Sequence, residues 1–159
     1  MSLLPSTGLK GQVTCFQGGG AINGGAPIAI TAGGTGDAAA ITGTTIDTLA
    51  YRGDAMLLIV SANAKLADTK TLSVAATLQE SSDGTNWDSA ETLYAATVIA
   101  TGATPTTWYD EVKATHVELK HRKRYIRFNV TPDLSNTGTD TATIHIVGVM
   151  GGSKVTPTA

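Results

Sequence analysis

Hydrophobic and polar residues alternate along several short stretches of this chain, and a two-residue period is typical of β-strands with one buried face. The clearest stretch is residues 71–79 (TLSVAATLQ). Its alternate apolar positions are Leu72, Val74, Ala76 and Leu78. Asp83 and Gly84 follow, and an Asp-Gly step supplies the positive φ that a hairpin turn requires. The stretch predicts a half-buried strand and a turn, after which Trp87 returns over the strand.

Further stretches with strand character are residues 55–62, 91–100, 124–130 and 141–150. Residues 55–62 (AMLLIVSA) are apolar on both faces, which predicts a central strand covered on both sides. Residues 107–119 fit either a helical stripe or strand alternation, and we choose a strand for 115–119 because the surroundings are β throughout. Short strands separated by turn signals predict an all-β fold, a β-sandwich of about seven to nine antiparallel strands.

Residues 17–43 are rich in glycine and poor in bulky side chains, so they gain little by packing on themselves. They form either a disordered linker or an arm that becomes ordered on a neighbouring subunit. Pro27, Ile28 and Ile30 favour the arm, because the two isoleucines could add one strand to the edge of a partner's sheet. We therefore expect an extended Gly/Ala-rich N-terminal arm (1–39), a β-sandwich domain (40–152) and a loose C-terminal tail (153–159).

Composition narrows the possible functions. The net charge is −2 over 159 residues, which gives no global field to attract nucleic acid or an anionic membrane. Cys15 is the only cysteine, so an intrachain disulfide and a cysteine-rich zinc site are excluded. The longest aliphatic run, 55–60, is far shorter than the roughly 20 residues of a membrane helix. We expect a soluble protein without a membrane partner.

One segment is strongly basic and contains no acidic residue from 120 to 131. Its cations are Lys120, Arg122, Lys123, Arg124 and Arg127. They could contact phosphate or nucleic acid, or they could form a solvated hairpin corner whose charges pair with acidic residues on another strand or subunit. The acidic balance of the whole chain favours the corner and makes nucleic acid an unlikely partner.

Catalytic and metal-binding patterns are absent from the sequence. The histidines are His116, His121 and His145, and none has a metal-ligand spacing. The oxygen-rich residues 83–88 resemble a calcium loop only loosely, and a turn explains them better. Cys15 has no base beside it in sequence, and no serine lies in a G-x-S-x-G elbow. We predict no catalytic residue, metal, cofactor or small-molecule substrate, and hence a protein that is not an enzyme.

Four pieces of the chain occur in an order that resembles a known family. They are ITGTTIDTLAYRGDAMLLIVSA, TLSVAATLQESSDGTNW, VELKHRKRYIRFNVTPDLS and TATIHIVGVMGG, together spanning residues 41–152. This order is similar to that of small tailed-bacteriophage proteins encoded among head genes. In that family a strand ending L-Q-x-S-x-D-G-x-x-W precedes an R-Y-I-R strand and a terminal strand closed by glycines.

The resemblance implies a virion structural protein that decorates or cements the outer surface of an icosahedral capsid and occupies the host cytoplasm during assembly. The implied partners are the phage major capsid protein and further copies of the chain, with a homotrimer favoured. Weak contacts by linked copies would be strengthened by avidity. Candidate residues for binding the capsid or a neighbouring subunit are Pro27, Ile28, Ile30, Arg122, Lys123, Arg124 and Arg127.

Two other functions remain open at this point. A head-tail connector or tail structural subunit would share the phage context. A carbohydrate-binding β-sandwich would use exposed aromatic rings as stacking platforms. The candidate rings are Trp87, Trp108, Tyr94 and Tyr109.

Overall fold

The computed structural model describes residues 27–51, 54–136 and 138–151, together with the backbone of residues 13–16. The expected tail at 153–159 and much of the expected arm lie outside the described residues. The described elements are β1 (Val13–Phe16), β2 (Ile28–Thr31), β3 (Ile41–Thr42), β4 (Ile46–Asp47), α1 (Thr48–Tyr51), β5 (Ala55–Leu66), β6 (Thr71–Ser81), β7 (Glu91–Thr101), β8 (Thr107–Glu118), β9 (Tyr125–Leu134) and β10 (Thr141–Gly151). No described helix has the length and apolar character needed to cross a membrane.

The strands form two antiparallel sheets. Sheet I has the order β1-β10-β5-β8, and β2 also pairs with β10. Sheet II has the order β3-β9-β6-β7, and β4 also pairs with β9. The inward faces of the two sheets enclose one apolar core, so the predicted all-β sandwich is confirmed.

Alternation along β5, β6 and β9 builds this core. In β6 the predicted inward positions, Leu72 to Leu78 in steps of two, are buried. In β9 the predicted inward residues Ile126, Phe128 and Val130 are each 0% exposed. These strands follow the two-residue period of the sequence because each buries one face and leaves the other partly exposed.

The strand at β5 differs from the prediction in one respect. It lies centrally in sheet I between β10 and β8, as expected. Its second face, however, is not covered by the described part of the chain, and Leu57 on that face is 38% exposed. The expectation of cover on both sides was wrong because the sandwich has two layers, and each sheet buries only its inward face.

Residues 28–32 differ from the predicted arm. Ile28–Thr31 forms β2, which pairs with β10 of the same chain. Ile30 is 1% exposed and belongs to the core, while Ile28 packs against the core's edge. The sandwich therefore includes residues before 40, because burial of Ile30 offsets part of the cost of ordering this glycine-rich stretch.

The segment that fitted both a helix and a strand is β8, which extends from Thr107 to Glu118. The strand chosen for residues 115–119 is thus confirmed for residues 115–118, as part of a longer strand. Its partner β5 pairs with it along the whole length, from Ala55 opposite Glu118 to Leu66 opposite Thr107. This long-range pairing decides between two patterns that the local sequence leaves equal.

Candidate interaction surfaces

The basic segment between β8 and β9 is held by acidic side chains of the same chain. Arg122 Nη1 donates to Glu80 Oε1 at 2.6 Å, and Arg122 Nη2 donates to Glu91 Oε1 at 3.0 Å. The backbone N–H of Lys123 donates to Glu80 Oε2 at 2.8 Å. The Arg122 guanidinium holds the pKa of the Glu91 carboxyl below its ordinary value, and the two carboxylates raise the pKa of Arg122. Arg122 therefore ties the β8–β9 connection to β6 and β7.

The next two cations are also paired. Lys123 Nζ donates to Asp88 Oδ1 at 2.8 Å in the loop after β6. Arg124 Nη2 donates to Asp47 Oδ2 at 2.8 Å, and this guanidinium lowers the pKa of Asp47. The backbone N–H of Leu49 donates to Asp47 Oδ1 at 3.0 Å, so Asp47 also caps α1. These three cations pair with acidic residues elsewhere in the same chain, as the interpretation of the segment as a hairpin corner predicted.

Arg127 belongs to the outward face of sheet II, where polar side chains of β6 and β9 bond to one another. Its guanidinium lies 4.2 Å from the centre of the Trp87 ring, and its Nε donates to Gln79 Oε1 at 3.0 Å. Asn129 Nδ2 donates to the same Gln79 oxygen at 3.2 Å. Trp87 thus lies over sheet II, as predicted, and the Arg127 guanidinium packs on its ring. The four candidate cations at 122, 123, 124 and 127 all have partners within the chain.

The loop after β6 is organised by Asp83. Its Oδ1 accepts from the backbone N–H groups of Thr85 and Asn86, each at 2.8 Å, and from Ser81 Oγ at 2.9 Å. These bonds, led by that of Asn86, hold the pKa of Asp83 well below its ordinary value. Gly84 has φ 76°, the positive value that the Asp-Gly step predicted. The carboxylate is engaged as a turn residue by N–H and O–H donors, and this supports the turn over a calcium loop.

Sheet I presents a different outward face. Six neighbouring apolar side chains on this face are Leu57 and Ile59 of β5, Val112 and Ala114 of β8, and Val147 and Val149 of β10. We call these six residues the apolar face. Ile59 is paired with Val147 on one side and with Ala114 on the other, so the patch is continuous across three strands. Val112 is 65% exposed. A contiguous exposed apolar patch is typical of a protein-binding surface.

A shallow groove borders the apolar face. It has a volume of about 250 Å³ and is lined by side chains of β5, β8 and β10, among them Ser61, Val112 and His145. Asn63 Nδ2 donates to Asp110 Oδ1 at 2.5 Å along its rim. The polar rim beside an apolar centre is the usual arrangement of a protein–protein contact.

The titratable side chains do not assemble into a chemical site within the described residues. The three histidines lie exposed on β8, in the β8–β9 connection and on β10, respectively. No group of three or more described His, Cys, Asp or Glu residues could hold a metal ion. The side chain of Cys15 lies outside the description, which covers only its backbone.

The aromatic rings do not form a shared platform either. Trp108 is 57% exposed on the outward face of sheet I, whereas Trp87 packs under Arg127 on sheet II. Tyr94 and Tyr109 are partly buried against the core, and burial raises the pKa of Tyr94 to about 12. The four candidate rings for carbohydrate stacking are therefore spread over different surfaces.

Sequence reasoning missed the apolar face as a candidate site, although the signal was present. Residues 55–62 are apolar at odd as well as even positions, and residues 147 and 149 repeat this on β10. We interpreted the second apolar face of β5 as covered by the chain's own layers. In the structure the described chain leaves it open, so the same pattern gives an exposed apolar surface.

Comparison with known proteins leaves the family open. No protein-family model matches the sequence, and no curated protein matches it. The structure of infectious bursal disease virus Gx strain is similar, with a TM-score of 0.45 and 12% identity over 91% of this chain and 34% of the viral chain. The VP2 subviral particle of the same virus gives a TM-score of 0.44 and 12% identity over 89% and 33% of the two chains.

A third similar structure is Eiger TNF from S. frugiperda, with a TM-score of 0.40 and 14% identity over 84% of this chain and 98% of that one. This chain spans about a third of the length of the two viral chains. Likenesses with TM-scores below 0.5 carry no argument about activity. The function is therefore argued from the chain's own sequence and surfaces.

Proposed function

We propose that this protein is a structural component of a tailed-bacteriophage virion that decorates and cements the icosahedral capsid. It would bind the outer surface of the shell as a homo-oligomer and bridge neighbouring major-capsid subunits. During assembly it would occupy the host cytoplasm. No catalytic step, cofactor, membrane or small-molecule substrate enters this function.

The observation that carries the proposal is the apolar face of sheet I. Leu57 and Val112 are 38% and 65% exposed there, in one patch that crosses three strands. On the outward face of sheet II the polar side chains of β6 and β9 bond to one another, and the exposed Val98 lies on the edge strand β7. Leaving apolar side chains in water costs roughly 25 cal/mol per Å², so a lasting apolar surface favours a partner that covers it. A capsid shell offers such a partner in many copies.

The order of sequence motifs supports the phage context. The L-Q-x-S-x-D-G-x-x-W stretch forms β6 and its following turn, and the R-Y-I-R stretch forms β9 beside it. Both motifs therefore build the framework of sheet II and leave sheet I free to bind. Added interface area across capsid subunits would oppose the internal pressure of packaged DNA, since a ligand that binds the assembled shell stabilises it by mass action.

The test uses phage heads assembled without this protein. We expect such heads to lose packaged DNA at a lower temperature than complete heads, and added wild-type protein to restore retention. The Leu57→Glu variant should fold but fail to restore retention, because a charge in the apolar face would be desolvated on binding.

The matched control is Ala75→Glu. Ala75 lies on the outward face of β6, the central strand of sheet II, as Leu57 lies on the central strand of sheet I. This variant should restore DNA retention like the wild type. If heads lacking the protein retain DNA under heat and osmotic shock as well as complete heads do, the cementing function is wrong.

A further inference from the structure

Strand β8 is a long, regular edge strand that could pair with another strand. It has 12 residues and pairs with β5 in an unbroken register over its whole length. Among the described strands it has no hydrogen-bonded neighbour on its other side. An edge of this length presents a row of backbone N–H and C=O groups that can pair with another strand.

The edge strand of sheet II is built differently. Strand β7 also pairs on one side only among the described strands, but its register with β6 shifts at three points along its length. Such irregularities twist an edge and oppose further pairing. The chain thus protects the β7 edge and leaves the β8 edge regular.

The side chains of β8 suit pairing with a second copy of the same strand. Val112 lies near the middle of the strand and is 65% exposed, with Glu111 before it and Lys113 after it. If two copies of β8 pair antiparallel about a two-fold axis, one residue must face its own copy at the axis. With Val112 there, Glu111 lies opposite Lys113 of the partner subunit, and the symmetry repeats this pair.

Charge disfavours the two adjacent registers. An axis at Glu111 would place two carboxylates opposite each other, and an axis at Lys113 would place two ammonium groups opposite each other. Like charges directly opposite are destabilising, whereas opposite charges and apolar residues in these positions are stabilising. A charged residue at an edge normally discourages pairing, but here it selects one register.

We propose that two copies of this protein pair through β8, antiparallel and centred on Val112, to join their two copies of sheet I into one continuous sheet. The same register places Trp108 opposite His116 of the partner subunit. Both apolar faces then lie on one side of the joined sheet. This symmetry is two-fold, unlike the trimer that the family resemblance implies, and the pairing does not depend on capsid binding.

Charge reversal of the full-length protein tests the register. Lys113→Glu and Glu111→Lys each turn two attractive pairs into two repulsive ones, so each should raise the dimer dissociation constant by about 10- to 100-fold. The double variant Glu111→Lys/Lys113→Glu restores both pairs and should return the dissociation constant to near the wild-type value. Sedimentation equilibrium measures the mass and the constant, and circular dichroism checks folding. The control Lys65→Glu, which makes the same charge change on β5, should leave the constant unchanged.

A cross-link gives an independent readout if a charge variant fails to fold. Directly opposite residues in antiparallel strands have Cβ atoms about 4.5–5.5 Å apart, close enough for a disulfide after a small adjustment. Val112→Cys should therefore yield a covalent dimer whose linked peptides both contain position 112, and Val98→Cys on β7 should not. The proposal would be overturned if the protein is a monomer or a trimer. It would also be overturned if single charge reversals leave the dimer dissociation constant unchanged, or if the double variant does not restore it.

Discussion

Asp83 and Arg122 are single side chains that hold several chain segments together. Asp83 closes the loop after β6 through bonds to Thr85 and Asn86, and Arg122 joins β6 to β7 through Glu80 and Glu91. The role of Asp83 could be predicted, because an Asp-Gly step is a local signal. The partners of Arg122 could not, because they lie 31 and 42 residues away and are brought together only by strand pairing.

Replacing Asp83 by alanine is expected to lower the melting temperature at pH 7 by several degrees, because the loop loses its hydrogen-bond acceptor. The folded-state pKa of Asp83 lies below its unfolded value. Its stabilising effect is therefore present above about pH 4 and is lost as pH falls through the folded-state pKa. Thermal unfolding of the wild type and the variant should thus converge as the solution is acidified.

The control for this experiment is Asp133→Ala. Asp133 is exposed, and its side chain makes no hydrogen bond or ion pair within the described residues. Its removal should change the melting temperature little at any pH. An equal effect of the two substitutions would contradict the role assigned to Asp83.

The alternation of apolar and polar residues predicted the buried faces of strands β6 and β9, but it did not predict which sheet β2 joins. The buried faces of β6 and β9 were evident because their periodicity is local. Ile28 and Ile30 were recognised as a possible strand, but the sequence could not identify the sheet that receives them. That choice depends on the register between β2 and β10, which lie more than a hundred residues apart.

Ile30→Ala is expected to destabilise the isolated chain by about 2–5 kcal/mol, because this side chain is 1% exposed in the chain's own core. Urea unfolding measures this free energy. The control Leu49→Ala, at a position that is 63% exposed, should change it by less than about 0.5 kcal/mol. A similarly small effect at Ile30 would mean that the strand leaves its own sheet, as the arm interpretation supposed.

The outward faces of the two sheets differ across the whole molecule. Sheet II bonds its own polar side chains, whereas sheet I leaves Leu57, Val112 and their neighbours without cover in the described chain. The sequence predicted the sandwich and placed the partner surface in the glycine-rich stretch, the basic segment and the outward strand faces in general, without identifying the apolar face of sheet I. Charge and glycine content can be read from a sequence. Whether the second apolar face of β5 is covered depends on how many layers the fold has, and the sequence does not show this.

Cryo-electron microscopy of phage particles assembled with this protein would show whether it binds the capsid as proposed. We expect sandwich-shaped density on the outside of the shell, across the boundaries between major-capsid subunits, with the apolar face of sheet I toward the capsid and sheet II toward solvent. Density confined to the neck or tail, or a sandwich bound to the shell through sheet II, would contradict this expectation.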